Sequence, residues 1–239
     1  EKESGLRRQS GPSELRYESY DVALLSVGSV LTGIDYVFRN GRSRSAFAIN
    51  RPPGHLANNT ICLFNNIAIG AHYARENYDV GRILIVDCDA HHGKHTNQVF
   101  LEDPDVIYFS MHIDGDYARE AGMVHHIGLG DGEGYNFNLP YPSGMPDEGY
   151  QYIIDQLLIP LAREFKPGLI LLSAGFDGHF DDPLTPNCVL TDGAYAFLAE
   201  RLYAMAAELD ARIVGALEGG SGLTGMANSI VHMIAILGQ

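Results

Sequence analysis

The sequence predicts an α/β domain, doubly wound and three layers deep (α/β/α), with a mostly parallel central sheet. Three observations predict it. Short runs of β-branched and aliphatic residues, of which Ile83-Leu84-Ile85-Val86 is the plainest, read as strands buried on both faces. Amphipathic stretches of helical period lie between these runs, so strand and helix alternate along the chain. No internal repeat and no linker interrupts the alternation, which makes residues 1–239 one domain.

Taken in order, residues 1–20 form a polar, Gly- and Ser-containing lead-in with little regular structure expected. Asp21 caps a helix over 21–38, whose apolar stripe is Val22, Leu24, Leu25, Val30, Leu31 and Ile34. A short strand over 46–49 runs into Asn50-Arg51-Pro52-Pro53-Gly54-His55, where the prolines and glycine forbid continuation and hold an imidazole in a loop. A helix over 64–77 leads to the strand that starts at Ile83, and a further strand over 105–110 ends in Ser110-Met111-His112. Residues 114–134 are loop-rich, with Gly128, Gly130, Gly132 and Gly134 at alternate positions. Such glycines suit a phosphate cradle, but no Lys-Ser/Thr follows and no helix opens after them, so a P-loop is rejected. Asp147 caps a helix to 164, and the apolar strand over 169–173 ends in Ala174-Gly175-Phe176-Asp177. A helix over 192–209, a strand over 212–216, the segment Glu218-Gly219-Gly220-Ser221 and a closing helix to 237 complete the chain.

Composition excludes some classes of function. With 16 Lys and Arg against 30 Asp and Glu the formal net charge is −14, which repels phosphate backbones and anionic lipid. Neither a nucleic acid nor a membrane is expected as a partner, and no run is read as a membrane span. The three cysteines, Cys62, Cys88 and Cys188, show no paired spacing. That pattern favours a reducing compartment, and a cytoplasmic location is expected. Association into a homo-oligomer stays open.

The chemistry gathers at strand ends. Asp89 and His91 follow the central strand and, two residues apart in extended backbone, point to one side. A hard carboxylate beside a borderline imidazole suits zinc or a similar divalent ion, although a lone pair of this kind is as commonly a solvated strand end. Three further loops leave strands toward the same edge: the His55 loop, the Asp177 loop and the Glu218-Gly-Gly-Ser loop. Ligands of open α/β sheets sit at that edge.

In these motifs the chain resembles the zinc-dependent histone deacetylase family, which has the arginase/deacetylase fold and includes acetylpolyamine amidohydrolases and acetoin-utilisation proteins. Arg51-Pro-Pro-Gly-His55 resembles the family's RPPGHH loop, and Asp87-Cys-Asp89-Ala-His91-His92-Gly93 its DxDxHHG strand end. Ser173-Ala-Gly-Phe-Asp177-Gly-His179-Phe-Asp-Asp182-Pro-Leu resembles SAGFDxHxxDPL, and Glu218-Gly-Gly corresponds to EGGY. The likeness runs from about Asp21 onward. It implies that Asp89, His91 and Asp177 bind one Zn2+, that Asp87 buttresses a catalytic His55, and that the substrate is an acylated amine such as acetyl-lysine or an acetylpolyamine. It also implies a monovalent cation such as K+ near Asp87, Asp89, His91, Ser110 and Met111. Family members usually carry a further strand and helix ahead of the region that begins at Asp21, and the lead-in reads as neither.

Three positions depart from the family pattern. Leu56 stands where the family has the second imidazole of its His-His pair, Lys94 replaces the Asp or Asn that orients that imidazole, and Ser221 replaces the tyrosine of EGGY. A positioned general base contributes roughly 10² to 10⁴ in rate and an oxyanion donor roughly 10² to 10³, so ordinary deacetylase efficiency is not expected. His95 is the candidate substitute acid/base. Two other readings follow from the same residues: a metal-binding pseudoenzyme, and a ureohydrolase with two manganese ions. The second fails where Gly93 and His179 stand in place of carboxylates. His72 and His232 read as surface or satisfied helix residues, His125-His126 as a pair on a strand, His112 as a neighbour of the site, and Tyr117 as an aromatic at its entrance.

Overall fold

The structure, a computed structural model, describes residues 16–39, 43–57, 62–115 and 122–239. Its frame is a six-stranded, all-parallel sheet in the order β1-β6-β5-β2-β3-β4. The strands are β1 (Ser45–Ala48), β2 (Ile83–Asp87), β3 (Val106–Ile113), β4 (Asn136–Tyr141), β5 (Leu169–Ala174) and β6 (Arg212–Leu217). β2 and β5 are buried at every position, as their unbroken apolar runs require in a sheet covered on both faces. Alternate residues enter different cores. Leu84 and Val86 pack with Ile170, Leu172, Tyr195 and Leu198, whereas Ile83 and Ile85 pack with Val30, Ile34, Ile67 and Ala71 on the opposite face.

Helices α1 (Ser19–Arg39) and α2 (Asn66–Asn77) cover the second face. The other carries α4 (Asp147–Ile153), a π turn (Ile154–Leu158), α5 (Ile159–Phe165), α6 (Asp192–Leu209) and α7 (Leu223–Leu237). Short α3 (Lys94–Val99) opens directly after the central strand end. From β2 the chain works outward through β3 to β4, then returns to lay β5 on the other side of β2 and β6 beyond it. The strand order therefore reverses between β2 and β5. Loops leaving these two neighbours diverge above the sheet and open a crevice there.

Several expectations shift. α1 starts at Ser19, within the lead-in, and places Asp21 in its first turn; residues 1–15 lie outside the described residues, as does Tyr117. α1 is also long and apolar enough to cross a membrane by length and composition, contrary to the expectation that no run is; its Val30, Ile34 and Val37 pack against the sheet. β3 runs on to Ile113 because it pairs with β4, and β4 itself, Asn136-Phe-Asn-Leu-Pro-Tyr141, was not expected as a strand. Asparagine and proline disfavour strands, and Pro140 is tolerated because β4 lies at the sheet edge. Residues 147–164 do not form one regular helix. Pro160 lacks an N–H, and the π turn just ahead of it accommodates the missing bond. Asp147 is not the cap of α4, which begins after Pro146; its carboxylate instead accepts from Thr191 N (2.9 Å) and Thr191 Oγ1 (2.5 Å), tying α4 to α6. His125 and His126 lie in a turn rather than on a strand, with ring centroids 4.3 Å apart.

Ile85 is fully buried in the central strand. Replacing it with Ala should cost about 2–5 kcal/mol. Urea unfolding should show this as a lower midpoint with an unchanged slope; an unchanged midpoint would contradict the packing described.

Candidate metal centre

Asp87 is the last residue of β2, and its register partners are Ser110 on β3 and Ser173 on β5. Beyond it the chain leaves the sheet, with Cys88 N donating to Ser173 O and Ile113 N donating to Ala90 O. This carries Asp89 and His91 over the crevice. Asp177 arrives from the adjacent strand end and accepts from Ala90 N through Oδ1 (2.7 Å). Its Oδ2 lies 2.7 Å from His91 Nδ1, which is 3.2 Å from Asp89 Oδ1. One donor atom from each of Asp89, His91 and Asp177 falls within 4.8 Å of the others.

The electrostatics of this trio call for a cation. Asp89 and Asp177 are both buried. Burial, and then the neighbouring charge of Asp89, push the Asp177 carboxyl up to about 6. Burial opposes protonation of His91, but the facing Asp177 and Asp89 overcome it and raise the imidazole to about 10. Burial would raise Asp89 too, yet His55 and His91 hold it below the ordinary carboxylate range. Two desolvated carboxylates thus depend on positive charge between them, which a divalent ion supplies better than a proton. The space is kept open by Gly219, where a Cβ would overlap Asp89 Oδ2 and Asp177 Oδ2. Two carboxylates and one imidazole with room beside them fit a zinc-type ion.

His55 stands over the same centre. Its Nδ1 is 3.1 Å from Asp87 Oδ2 and its Nε2 is 3.6 Å from Asp89 Oδ2. Burial disfavours the charged ring, but Asp89 and Asp87 together raise its pKa well above the ordinary value. Asp87 Oδ2 also accepts from the Tyr108 hydroxyl (2.9 Å), and its Oδ1 from Asp89 N (3.2 Å). Both oxygens of this buried carboxylate are therefore engaged, which fixes the His55 ring.

Several supporting groups were not read from the sequence as such. Glu218 Oε2 accepts from Gly54 N (2.6 Å) and His55 N (3.1 Å), and Ser173 Oγ donates to Oε1 (3.3 Å). Arg51 completes the clamp, donating to Glu218 O and to Gly220 O. Gly219 N donates to Asp89 Oδ2 (2.7 Å), and Phe176 N to Gly219 O (2.9 Å). The only sequence signals for these were the Glu-Gly-Gly segment itself and an arginine ahead of two prolines. Tyr108 gave none, since an aromatic residue within a strand reads as core.

Leu56 is buried with Ala57 and Cys62 in a small apolar cluster, where burial pushes the Cys62 thiol up to about 11. Lys94 begins α3 and is half-buried, and Ser221 is exposed at the rim. His95 donates its backbone N–H to His55 O, but its ring nitrogen Nδ1 lies 3.2 Å from the side chain of Asn65, the N-cap of α2. Ser110 Oγ meets His112 Nδ1 at 2.8 Å, and Met111 is fully buried. His72 and His232 are exposed on their helices.

Fold and site together define an open parallel α/β protein with a buried carboxylate–imidazole centre at its switch point. Comparison with known proteins is specific. A histone deacetylase domain matches residues 2–237. "Histone deacetylase 10, chloroplastic" from Oryza sativa subsp. japonica is 38% identical over 96% of this chain and 54% of its own length. "Polyamine deacetylase HDAC10" from Danio rerio is 38% identical over 92% of this chain and 33% of its own. The crystal structure of the HDA15 HD domain superposes with a TM-score of 0.89 at 30% identity, covering 98% of this chain and 66% of that one. The chain belongs to the histone deacetylase family and has its arginase/deacetylase fold. It spans about half the length of two chloroplastic relatives, 54% and 56%, and about a third of two other plant relatives, 34% and 33%.

Burial raises the Glu218 carboxyl to about 7. A group raised on folding contributes stability below its unfolded pKa and loses it as pH rises through the folded value. The metal-free protein should therefore lose stability between about pH 4.5 and 7, by roughly 3 kcal/mol for this one group. In Glu218→Gln that part of the slope should vanish. Parallel pH–stability curves for the two proteins would rule the assignment out.

Proposed function

We propose that this chain is a metal-dependent amidohydrolase that removes an acyl group from an acylated amine of the acetyl-lysine or acetylpolyamine type. The observation that carries the reading is the convergence of Asp89, His91 and Asp177 from two neighbouring strand ends on one small space. Membership of the histone deacetylase family supports it. So does the likeness to a relative named as a polyamine deacetylase. Asp89, His91 and Asp177 would hold one Zn2+. When bound, the ion polarises the amide carbonyl and makes water acidic enough to act as a nucleophile at neutral pH.

The chain's own groups supply orientation and proton handling. Asp87 Oδ2 holds the His55 ring through Nδ1 and leaves Nε2 turned to the centre. Once a divalent ion offsets the Asp89 charge that raises its pKa, His55 Nε2 would be placed to hold a proton taken from water and return it to the leaving amine. With Leu56 apolar, both transfers fall to this one imidazole. Glu218 and Arg51 set the height of the His55 loop through its backbone and that of the facing loop. The N–H groups of Ser221 and Gly222 are both taken by Asp182 Oδ2, so neither is available as an oxyanion donor. The Ser221 hydroxyl has a much shorter reach than the tyrosine of the family pattern. A K+ ion beside Asp87, Asp89, His91, Ser110 and Met111 belongs to the same proposal, as does a cytoplasmic, reducing location, which the three free cysteines support. No nucleic-acid or membrane partner forms part of this reading.

A second reading, a metal-binding pseudoenzyme, is favoured by the combination of Leu56, Lys94 and Ser221. A ureohydrolase is disfavoured on geometry. A Cβ at Gly93 would overlap Asp87 Oδ2 and the Tyr108 hydroxyl, so no second ligand carboxylate fits there.

Elemental analysis after zinc reconstitution should find about one ion per chain, lost in His91→Ala and in Asp177→Ala. Unchanged metal in both variants would sink the assignment of these ligands. Acetate release from an acetyl-lysine peptide and an acetylated polyamine then decides between the readings. Leu56→His combined with Lys94→Asn and Ser221→Tyr should raise turnover by roughly 10² or more, because a base and an oxyanion donor are restored together. Zinc retained with no turnover by either protein would leave the pseudoenzyme.

A further inference from the structure

His179 lies two residues past the ligand Asp177 and takes no part in the chemistry described above. Its ring is buried, with Nδ1 hydrogen-bonded to Asp181 Oδ1 (2.8 Å) and Nε2 at ion-pair distance from Asp192 Oδ1 (3.2 Å) without the geometry of a hydrogen bond. Asp192 is the first residue of α6, and its Oδ1 also accepts from Ser229 Oγ on α7 at 3.0 Å. Asp181 turns its other oxygen to Gly225 N in the first turn of α7 (2.8 Å). Asp182, next along, accepts from Ser221 N (2.5 Å) and Gly222 N (3.0 Å) through Oδ2 and from Leu184 N (2.9 Å) through Oδ1. The packing leaves no slack: a Cβ at Gly222 would overlap Asp181 Oδ1, and one at Gly225 would overlap the His179 ring.

We propose that His179 is a positioning residue that sets the substrate rim: by bridging Asp181 and Asp192 it pins the segment 219–225, and with it Ser221, against the loop that carries Asp177. The chain of causes is short. An imidazole that touches carboxylates on both sides fixes the Asp181–Asp182 turn, and that turn captures three backbone N–H groups of the facing segment. The same segment sends Gly219 N to the ligand Asp89. None of the three donor atoms that gather at the metal comes from His179. Its loss should therefore loosen the rim more than the metal centre.

The claim about catalysis rests on the amidohydrolase reading, whereas the claim about position does not, so two measurements separate them. Amide hydrogen exchange on the zinc-loaded full chain reads the pin directly. In His179→Ala, exchange at Ser221, Gly222 and Gly225 should quicken by about tenfold or more while Val86 and Leu171 in the central strands keep their protection. Asp181→Ala, which removes the acceptor of Gly225 N and one side of the bridge, should do the same and serves if the first variant fails to fold. Asp192→Asn keeps the size of the side chain that touches the ring and the acceptor of Ser229 Oγ, and should stay near the native pattern. Steady-state kinetics on an acetylated amine then read the consequence, since altering groups that orient a site typically costs roughly 10- to 100-fold. KM should rise by a larger factor than kcat falls, with chelator competition showing zinc affinity closer to native than in Asp177→Ala. Unchanged exchange at the three amides in both alanine variants overturns the proposal. So does quickened exchange accompanied by native KM and kcat. If the native chain hydrolyses no acylated amine, it is the functional reading that fails, and the exchange result still decides the pin.

Discussion

Two carboxylates buried side by side are the constraint to which the rest of the molecule answers. Asp89 and Asp177 come from neighbouring strand ends because β2 and β5 are hydrogen-bonded neighbours and the chain reverses its direction of growth between them. Leaving such groups in a dry crevice costs several kcal/mol each unless opposite charge and hydrogen bonds compensate. The compensation is visible around them: His91 between the two, His55 above Asp89, Ala90 N on one carboxylate and Gly219 N on the other. Even the glycines belong to it, since Gly93, Gly175 and Gly219 each approach a site carboxylate too closely for any side chain.

On the proposed function, that arrangement separates what would hold an ion from what would move protons. The Asp89–His91–Asp177 trio and the Asp87–His55 pair are intact and mutually braced, with Tyr108, Glu218 and Arg51 behind them. The altered positions sit elsewhere. Leu56 faces into an apolar cluster with Ala57 and Cys62, and Ser221 lies at the solvent-facing rim with its backbone held by Asp182. The departures from the family pattern, Leu56, Lys94 and Ser221, thus lie outside the carboxylates and imidazoles that gather at the centre.

How much of this was legible follows from range. β2, β5 and β6 were read nearly to the residue because uniform apolar runs admit few other interpretations in a chain of this length. α6 spans the 192–209 expected of it, with Thr191 at its N-cap and Asp210 at its C-cap. β4 was missed since its asparagines and Pro140 argue locally against a strand, and only pairing with β3 decides the matter. The convergence of Asp89, His91 and Asp177 was legible through motif resemblance, with Asp89 and His91 carried on a two-residue spacing. Glu218 was not legible in its role, because the N–H groups it accepts from lie 163 and 164 residues earlier. No local pattern encodes a contact of that span.

The edge position of β1 has a bearing on how the chain is made. Among the described residues β1 pairs only with β6, Ser45 opposite Ile213 and Ala48 opposite Ala216. A chain emerging from its N-terminus therefore presents β1, and the His55 loop behind it, long before the strand that will receive them exists. β2, β3, β4 and β5 can be laid side by side as they appear, whereas β1 has to wait for nearly the whole sequence. Long-range pairing of this kind slows folding and leaves apolar strand surface uncovered in the interval. The His55 imidazole, carried by the element that waits longest, would join a centre whose carboxylates are already in place.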